Sequence, residues 1–178
     1  MTTAPPPRTP RTPRTADTNA TTTAAGFSTT GPTDAAAPGE VTDTTAATRA
    51  AVEAFLTRLQ EGSPDRVAEL FAERVDWMIA ENPAVPWLRP RSTRADVAAH
   101  FRELGEGQRP DPSGTSVDAI VVAGPEAMLS GWLAGTVLAT GKSFRSPFAM
   151  RLTVEHGLIV RYHVVEDSLA IAAACTAD

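Results

Sequence analysis

The sequence predicts an α+β domain in which a cone-shaped, curved antiparallel or mixed sheet carries three helices on one face. Three observations lead to this fold class. Helical hydrophobic spacing dominates the first half of the folded part, four strand-like stretches then follow one another directly, and short turn sequences separate them. Strands grouped in this way are typical of α+β folds and not of parallel sheets, whose strands alternate with helices.

Residues 1–45 are expected to form a disordered tail ahead of a folded domain at 46–175. The segment contains fifteen Thr and seven Pro, and after Met1 only Phe27 and Val41 are sizeable apolar residues. A chain with so little to bury cannot offset its conformational entropy. The repeat RTPRTPRT at 8–15 favours extended backbone, and its arginines leave a second interpretation open, a docking arm for a partner.

Charge and composition argue against several classes of partner. The formal net charge is −5 and no basic block exceeds the dilute RTP repeat, so no nucleic acid is expected to bind. The tail has no apolar run typical of a secretory signal, and no stretch reaches the ~18 apolar residues of a membrane span. Cys175 is the single cysteine, which fits a cytoplasmic location.

Apolar residues at the 3.6-residue spacing predict the helices. The first helix is expected over about 42–60, with one buried face at Val52, Phe55, Leu56 and Leu59. A second, short helix starts at 63–65 with the order Ser-Pro-Asp, which is typical of a helix start, and it includes Phe71. The third is capped by Ser92 or Thr93 and ends near Leu104.

Five strands are predicted, the first at 75–80 and the others at 115–123, 126–140, 143–155 and 158–166. A proline-rich loop follows the first strand, because proline lacks a donor for a sheet ladder. The later strands are separated by Gly124-Pro125, Gly141-Lys142 and His156-Gly157, each a plausible hairpin turn. Residues 168–174 are expected to form a short Ala-rich helix or tail.

Four stretches of this chain resemble a known family. They are RVDW at 74–77, RSTRADVAAHF at 91–101, GTVLATGKSF at 135–144 and HGLIVRYHVVEDSLAI at 156–171. They are similar to the SnoaL-like, ketosteroid-isomerase-related proteins of the nuclear-transport-factor-2-like superfamily, and the resemblance covers 45–175. It implies a cone fold with an apolar cavity. It also implies either proton-transfer chemistry on a polyketide-like carbonyl compound or plain binding of a small hydrophobic molecule.

The residues implied for ketosteroid isomerisation are absent. Met78 and Ile79 stand where the resemblance places the base carboxylate, and Tyr162 lies in the last strand and not in the first helix. No acid occurs between Glu126 and Glu155. The SnoaL-type cyclases are implied to use a His/Asp acid–base pair instead.

Four residues are candidates for catalysis. His163 and Asp167 share one face of the last strand, opposite to Tyr162 and Glu166, and could form an acid–base pair. His100 interrupts the apolar face of the third helix, where a core histidine is the alternative. Asp76 becomes a candidate base if it points into the cone, although an inward Trp77 would place it outside.

The expected substrate contacts are Trp77, Trp87, Phe101, Trp132, Phe148 and Met150. Trp87 would cover the mouth of the cavity and the others would line it, with core packing as the alternative for the strand aromatics. No metal site is expected, because the three histidines lack the spacing of metal ligands. No cofactor is expected either, since the chain lacks a glycine-rich phosphate loop.

Two functions from different classes follow. The first is a cofactor-independent acid–base isomerase or cyclase that acts on a hydrophobic carbonyl compound. The alternative is a non-catalytic module that binds a small molecule or serves a structural role. In both cases we expect a homodimer, because three helices on one face leave the other face of the sheet uncovered.

Overall fold

The computed structural model describes residues 38–177. Residues 1–37, which make up most of the predicted tail, lie outside the described residues, so their disorder stays a prediction. The first helix, α1 (Pro38–Glu61), begins ahead of Thr42 and therefore extends into the segment assigned to the tail. No helix within 38–177 is long and apolar enough to cross a membrane.

Three further helices follow the local signals in the sequence. Helix α2 (Pro64–Ala68) is a single short turn that starts after Ser63 with proline in its first position. Helix α3 (Arg94–Gly107) begins with a capping box: the Asp96 amide donates to the Thr93 hydroxyl at 3.2 Å, and the Thr93 amide donates to the Asp96 carboxylate at 3.0 Å. Helix α4 (Ser168–Cys175) closes the described chain.

Within residues 38–177, six strands form one mixed sheet, which confirms the predicted fold class. They are β1 (Phe71–Ile79), β2 (Gln108–Pro110), β3 (Ser116–Ala123), β4 (Glu126–Val137), β5 (Ser143–Glu155) and β6 (Leu158–Glu166). The order is β1-β6-β5-β4-β2, with β3 also paired to β4. Among these described strands only β1 runs parallel to its neighbour, with Trp77 beside Tyr162. The sheet curls into an open half-barrel.

The hairpin between β5 and β6 turns where the sequence predicts it. His156 and Gly157 both have positive φ, at 50° and 78°. Two consecutive residues in this region define the tight turn whose twist matches that of the flanking strands. The register that follows pairs Arg151 with His163 and Thr153 with Arg161, which decides the face on which each polar side chain of β6 lies.

Two predicted boundaries are wrong. Phe71, predicted to lie in the second helix, opens β1, because the backbone there pairs with β6 and the Leu70 carbonyl accepts from the Ile159 amide at 2.8 Å. The third helix, predicted to end near Leu104, continues to Gly107, and a strand that the sequence did not predict, β2, follows it at Gln108–Pro110. In both places a long-range strand pairing overrides the local sequence signal.

The two faces of the sheet differ in what covers them. The inner face packs against α1 and α3, with Val52, Phe55 and Val97 meeting the buried side chains of Leu129 and Leu152. A second apolar cluster joins the loop after β1 to β4 and α4, and its members are Val85, Trp87, Leu88, Val137, Ile171 and Ala174. We call the opposite side of the sheet, which carries the alternate side chains, the outer face.

Candidate functional site

An aromatic cluster around Tyr162 occupies the inner face. Tyr162 is 5% exposed and its ring stacks on Trp77 with the centroids 4.4 Å apart. Phe55, Phe71 and Phe101 meet it edge to face at 5.9, 5.8 and 6.3 Å. Burial, with a further contribution from the charge of Glu166, raises the pKa of the Tyr162 hydroxyl. This hydroxyl is therefore protonated at neutral pH and can donate a hydrogen bond.

His100 on α3 lies against the same cluster. It is 4% exposed and packs edge to face on Trp77 and Phe101, with the ring centroids 4.9 and 5.1 Å apart. Its Nδ1 lies 3.4 Å from the backbone carbonyl of Trp87, and this contact favours the tautomer with the proton on Nδ1. Burial, assisted by the charge of Arg91, lowers the pKa of His100 to about 4, so the imidazole is neutral at pH 7.

Glu166, the last residue of β6, is a titratable group that the sequence-based candidates did not include. Its side chain lies on the same face of the strand as the buried Tyr162 and Val164. Burial raises the pKa of Glu166 to about 7. Among the side-chain contacts of residues 38–177, its carboxyl group forms no hydrogen bond or ion pair. A carboxyl group with this pKa can accept or release a proton at neutral pH.

His163 does contact a carboxylate, but the partner is Asp76 and the contact lies on the outer face. His163 Nε2 and Asp76 Oδ1 are 2.9 Å apart, and Arg161 Nε donates to Asp76 Oδ2 at 2.7 Å. Both hydrogen bonds lower the pKa of the Asp76 carboxyl group, and the bond from His163 has the larger effect. Parallel pairing of β1 with β6 creates this arrangement, because it places Asp76 directly beside Arg161.

The predicted pair of His163 with Asp167 is wrong. Strand β6 ends at Glu166, and the backbone of Asp167 leaves the sheet to become the N-cap of α4. Its carboxylate accepts from the Ala170 amide at 3.1 Å, while its own amide donates to the Ser146 hydroxyl at 2.8 Å. The role of Asp167 in the structure is to start a helix.

The predicted ligand contacts divide into three groups. Trp77, Phe101, Phe148 and Met150 belong to, or pack against, the main core cluster on the inner face. Trp87 is 4% exposed and belongs to the second cluster. Trp132 does not line the cone: it pairs with Pro147 on the outer face, and the Arg145 guanidinium lies 3.6 Å from the centre of its ring. Alternation along β4 explains this, because the neighbouring Leu133 points inward.

Sequence and structural comparisons place this arrangement in a family. The model of the SnoaL-like domain matches residues 52–162, more than half of the 178 residues. The chain belongs to the SnoaL-like domain family. None of the curated proteins matches it significantly in sequence.

Solved structures share the fold of this SnoaL-like domain. An NTF2-like protein of Burkholderia xenovorans is similar at TM-score 0.65 and 21% identity, with 74% of this chain and 98% of that chain covered. An NTF2-like protein of Burkholderia thailandensis is similar at TM-score 0.62 and 24% identity, with 72% of this chain and 97% of that chain covered. A proposed polyketide cyclase of Xanthomonas campestris is similar at TM-score 0.60 and 17% identity, with 75% of this chain and 99% of that chain covered. At these identities the likeness shows the fold alone.

The SnoaL-like domain also has a surface cavity of about 320 Å³ beside Trp87. Its wall includes Arg89 and Glu103, which form an ion pair at 3.1 Å, together with Glu106, Val137 and Cys175. The Trp87 indole lies directly against Gly107, since a Cβ at that position would approach two of its ring carbons to 2.5 Å. Trp87 lines this cavity and also contacts His100, whose Nδ1 lies 3.4 Å from the tryptophan backbone carbonyl.

The inner face therefore offers this SnoaL-like domain three polar groups in apolar surroundings. They are a carboxyl group that titrates near neutrality, a protonated phenol and a neutral imidazole, from Glu166, Tyr162 and His100. Such a set can exchange a proton with a bound molecule and donate hydrogen bonds to its oxygen atoms. Within residues 38–177 no three His, Cys, Asp or Glu side chains come together as a metal site would require.

Proposed function

We propose that this SnoaL-like domain binds a small, uncharged, largely apolar carbonyl compound on the inner face of the cone and moves a proton on it, as a cofactor-independent isomerase or cyclase. The observation that carries the proposal is Glu166, an inward-facing residue whose carboxyl group forms no hydrogen bond or ion pair with the described residues and has a pKa of about 7. The fold likeness to a proposed polyketide cyclase agrees with a carbonyl substrate.

In this proposal Glu166 acts as the general base and then as the general acid. A carboxylate in apolar surroundings is more basic than one in water, so it can remove a proton from carbon next to a carbonyl group. Negative charge then develops on the carbonyl oxygen. Stabilising this charge needs a hydrogen-bond donor that is already in place, and the Tyr162 hydroxyl, which shares the face of Glu166 on β6, is suited to that role.

The charges of the inner face restrict the substrate. His100 is neutral at pH 7 and Tyr162 is protonated, so neither group compensates a charged substrate. An ionised ligand would lose its hydration there without gaining an ion pair, which is unfavourable. An uncharged aromatic or polycyclic ketone matches the surrounding rings.

We also propose a cytoplasmic location, because a single cysteine cannot form a disulfide within the chain.

The test is deuterium incorporation from D₂O at the carbon next to the carbonyl of simple aromatic ketones such as 1-tetralone, followed by NMR. The wild-type protein should accelerate exchange, and Glu166→Gln should slow it by about 10²–10⁴-fold. Glu155→Gln is the matched control, because Glu155 is exposed at the end of β5. Equal exchange rates for wild type and Glu166→Gln would refute the assignment of Glu166.

A second candidate function is binding without chemistry. It is favoured by the close packing on the inner face, where Trp77, Tyr162 and Phe101 fill space that a substrate would need. In that case apolar ligands should bind, quench tryptophan fluorescence and be recovered unchanged. Binding with no deuterium exchange in any ketone of the panel would favour this second function.

A further inference from the structure

The surface cavity beside Trp87 has an apolar wall and a charged wall. The apolar wall consists of Pro86, Trp87, Val137 and Ala139. The charged wall consists of Arg89, Glu103 and Glu106. Its volume of about 320 Å³ is at the lower end of the range of ligand pockets, so the cavity has room for a small molecule.

Arg89 brings to this cavity a positive charge that its partner does not fully neutralise. The Glu103 carboxylate lies 3.1 Å from the guanidinium of Arg89, and the same oxygen also pairs with Arg91. The Arg91 side chain is 6% exposed, whereas that of Arg89 is 56% exposed. Because a buried guanidinium depends more on its counter-ion than one in water, the charge of Glu103 is committed mainly to Arg91. The surplus positive charge therefore lies on Arg89, at the cavity wall.

Glu106 brings a negative charge to the same cavity. It follows Glu103 by three residues on α3, so the two side chains lie on the same side of the helix. Among the side-chain contacts of residues 38–177, the Glu106 carboxylate forms no hydrogen bond or ion pair. Gly107, the last residue of α3, also lines the cavity, and the last turn of α3 contains no basic residue. The C-terminal end of a helix carries a partial negative charge, which favours a cation nearby.

Two other titratable groups near the cavity leave these charges unchanged. Burial raises the pKa of the Cys175 thiol, so this group in the wall stays protonated at neutral pH. Lys142 donates to the Thr176 carbonyl at 2.9 Å and does not line the cavity. Arg89 and Glu106 thus present opposite charges to one small volume without pairing with each other. A ligand that carries both charges satisfies both groups.

We propose that this cavity binds a free α-amino acid with an apolar side chain. A guanidinium has five N–H donors, so Arg89 binds the ligand carboxylate while it remains beside Glu103. The ligand ammonium lies between the Glu106 carboxylate and the end of α3, and the ligand side chain packs against Trp87 and Val137. The inference goes beyond the proposed function, because none of the groups assigned to proton transfer lines this cavity.

The test is isothermal titration calorimetry of the full 178-residue chain at neutral pH with four probes. L-Phenylalanine should bind with a dissociation constant of about 1 mM or lower. Phenethylamine lacks the carboxylate and 3-phenylpropanoate lacks the ammonium, so each should bind at least about fivefold more weakly. Glycine, which has both charges but no side chain to cover Trp87, should bind more weakly than L-phenylalanine as well.

Two variants identify the site of binding. Arg89→Gln should weaken L-phenylalanine at least about fivefold and leave phenethylamine unchanged, whereas Glu106→Gln should weaken L-phenylalanine and leave 3-phenylpropanoate unchanged or tighter. The matched controls are Arg102→Gln and Glu53→Gln. Arg102 is 52% exposed and Glu53 is exposed on α1, and neither lines the cavity. Both controls should bind all four probes like the wild type, with folding checked by circular dichroism.

Three results would overturn the proposal. The first is no binding of L-phenylalanine at 20 mM. The second is equal affinity for L-phenylalanine and either singly charged probe, because the two wall charges then do not act together. The third is binding of L-phenylalanine that survives both cavity variants or that the control variants weaken equally, since the ligand would then lie elsewhere.

Discussion

Replacing Glu166 with glutamine should make the protein more stable at neutral and alkaline pH. The pKa of this carboxyl group rises from 4.5 in the ordinary case to about 7 in the folded chain because burial disfavours its charge. Between these two values the folded state binds more protons than the unfolded state, so stability falls as the pH rises from about 4.5 to about 7. The loss is complete above pH 7 and amounts to about 3 kcal/mol at most.

Glutamine has the shape of the protonated acid but does not ionise, so Glu166→Gln should escape this loss. Urea unfolding followed by tryptophan fluorescence should give nearly equal free energies of unfolding for wild type and variant near pH 4. The variant should be the more stable protein by about 2–3 kcal/mol near pH 8. Other groups titrate equally in both proteins and cancel in the difference. Parallel stability profiles across this range would show that Glu166 is not desolvated as described.

Substitutions at three further positions test other parts of the structure. Gly107→Ala should destabilise the fold by about 1–3 kcal/mol in urea unfolding and shift tryptophan emission, because the new methyl group meets the Trp87 ring; unchanged emission and stability would contradict this contact. Asp167→Ala should cost about 1 kcal/mol through loss of the α4 cap, while Asp167→Asn should cost less. His163→Gln should leave ligand binding and ketone exchange at wild-type levels, since His163 lies on the outer face; a large loss of either would restore it as a site residue.

Sequence periodicity and local signals predicted those structural features that depend only on residues close together in the chain. The buried face of α1 at Val52 and Phe55, the β5–β6 turn at His156-Gly157 and the cap of α3 at Thr93 are all as expected. Each is decided within a few residues, by the spacing of apolar side chains or by the conformations that a residue can adopt. The α+β class followed from the order of these local elements.

The candidate site depended on information that periodicity does not contain. Alternation showed that His163 and Glu166 lie on opposite faces of β6, but not which face the helices cover. The partner of His163 lies 87 residues away and arrives through the pairing of β1 with β6. Asp167 comes directly after the last residue of β6, so the alternation of the strand does not decide where its side chain lies. Alternation does place Glu166 on the same face as Tyr162 and Val164, which turned out to be the inner face. The sequence alone did not single it out, because charged residues at strand ends are usually solvated.

The parallel pairing of β1 with β6 also has a kinetic consequence. Strand β1 comes first among the described strands, yet its strand neighbour in that part of the chain is β6, which is synthesised more than 80 residues later. Antiparallel hairpins between β4, β5 and β6 close short loops and can form early, whereas β1 must wait for a long loop to close. During that interval the unpaired backbone edge of β1 is available to other chains. We therefore expect a lower yield of refolding at higher protein concentration, because chains in which β1 has not yet docked can associate with one another.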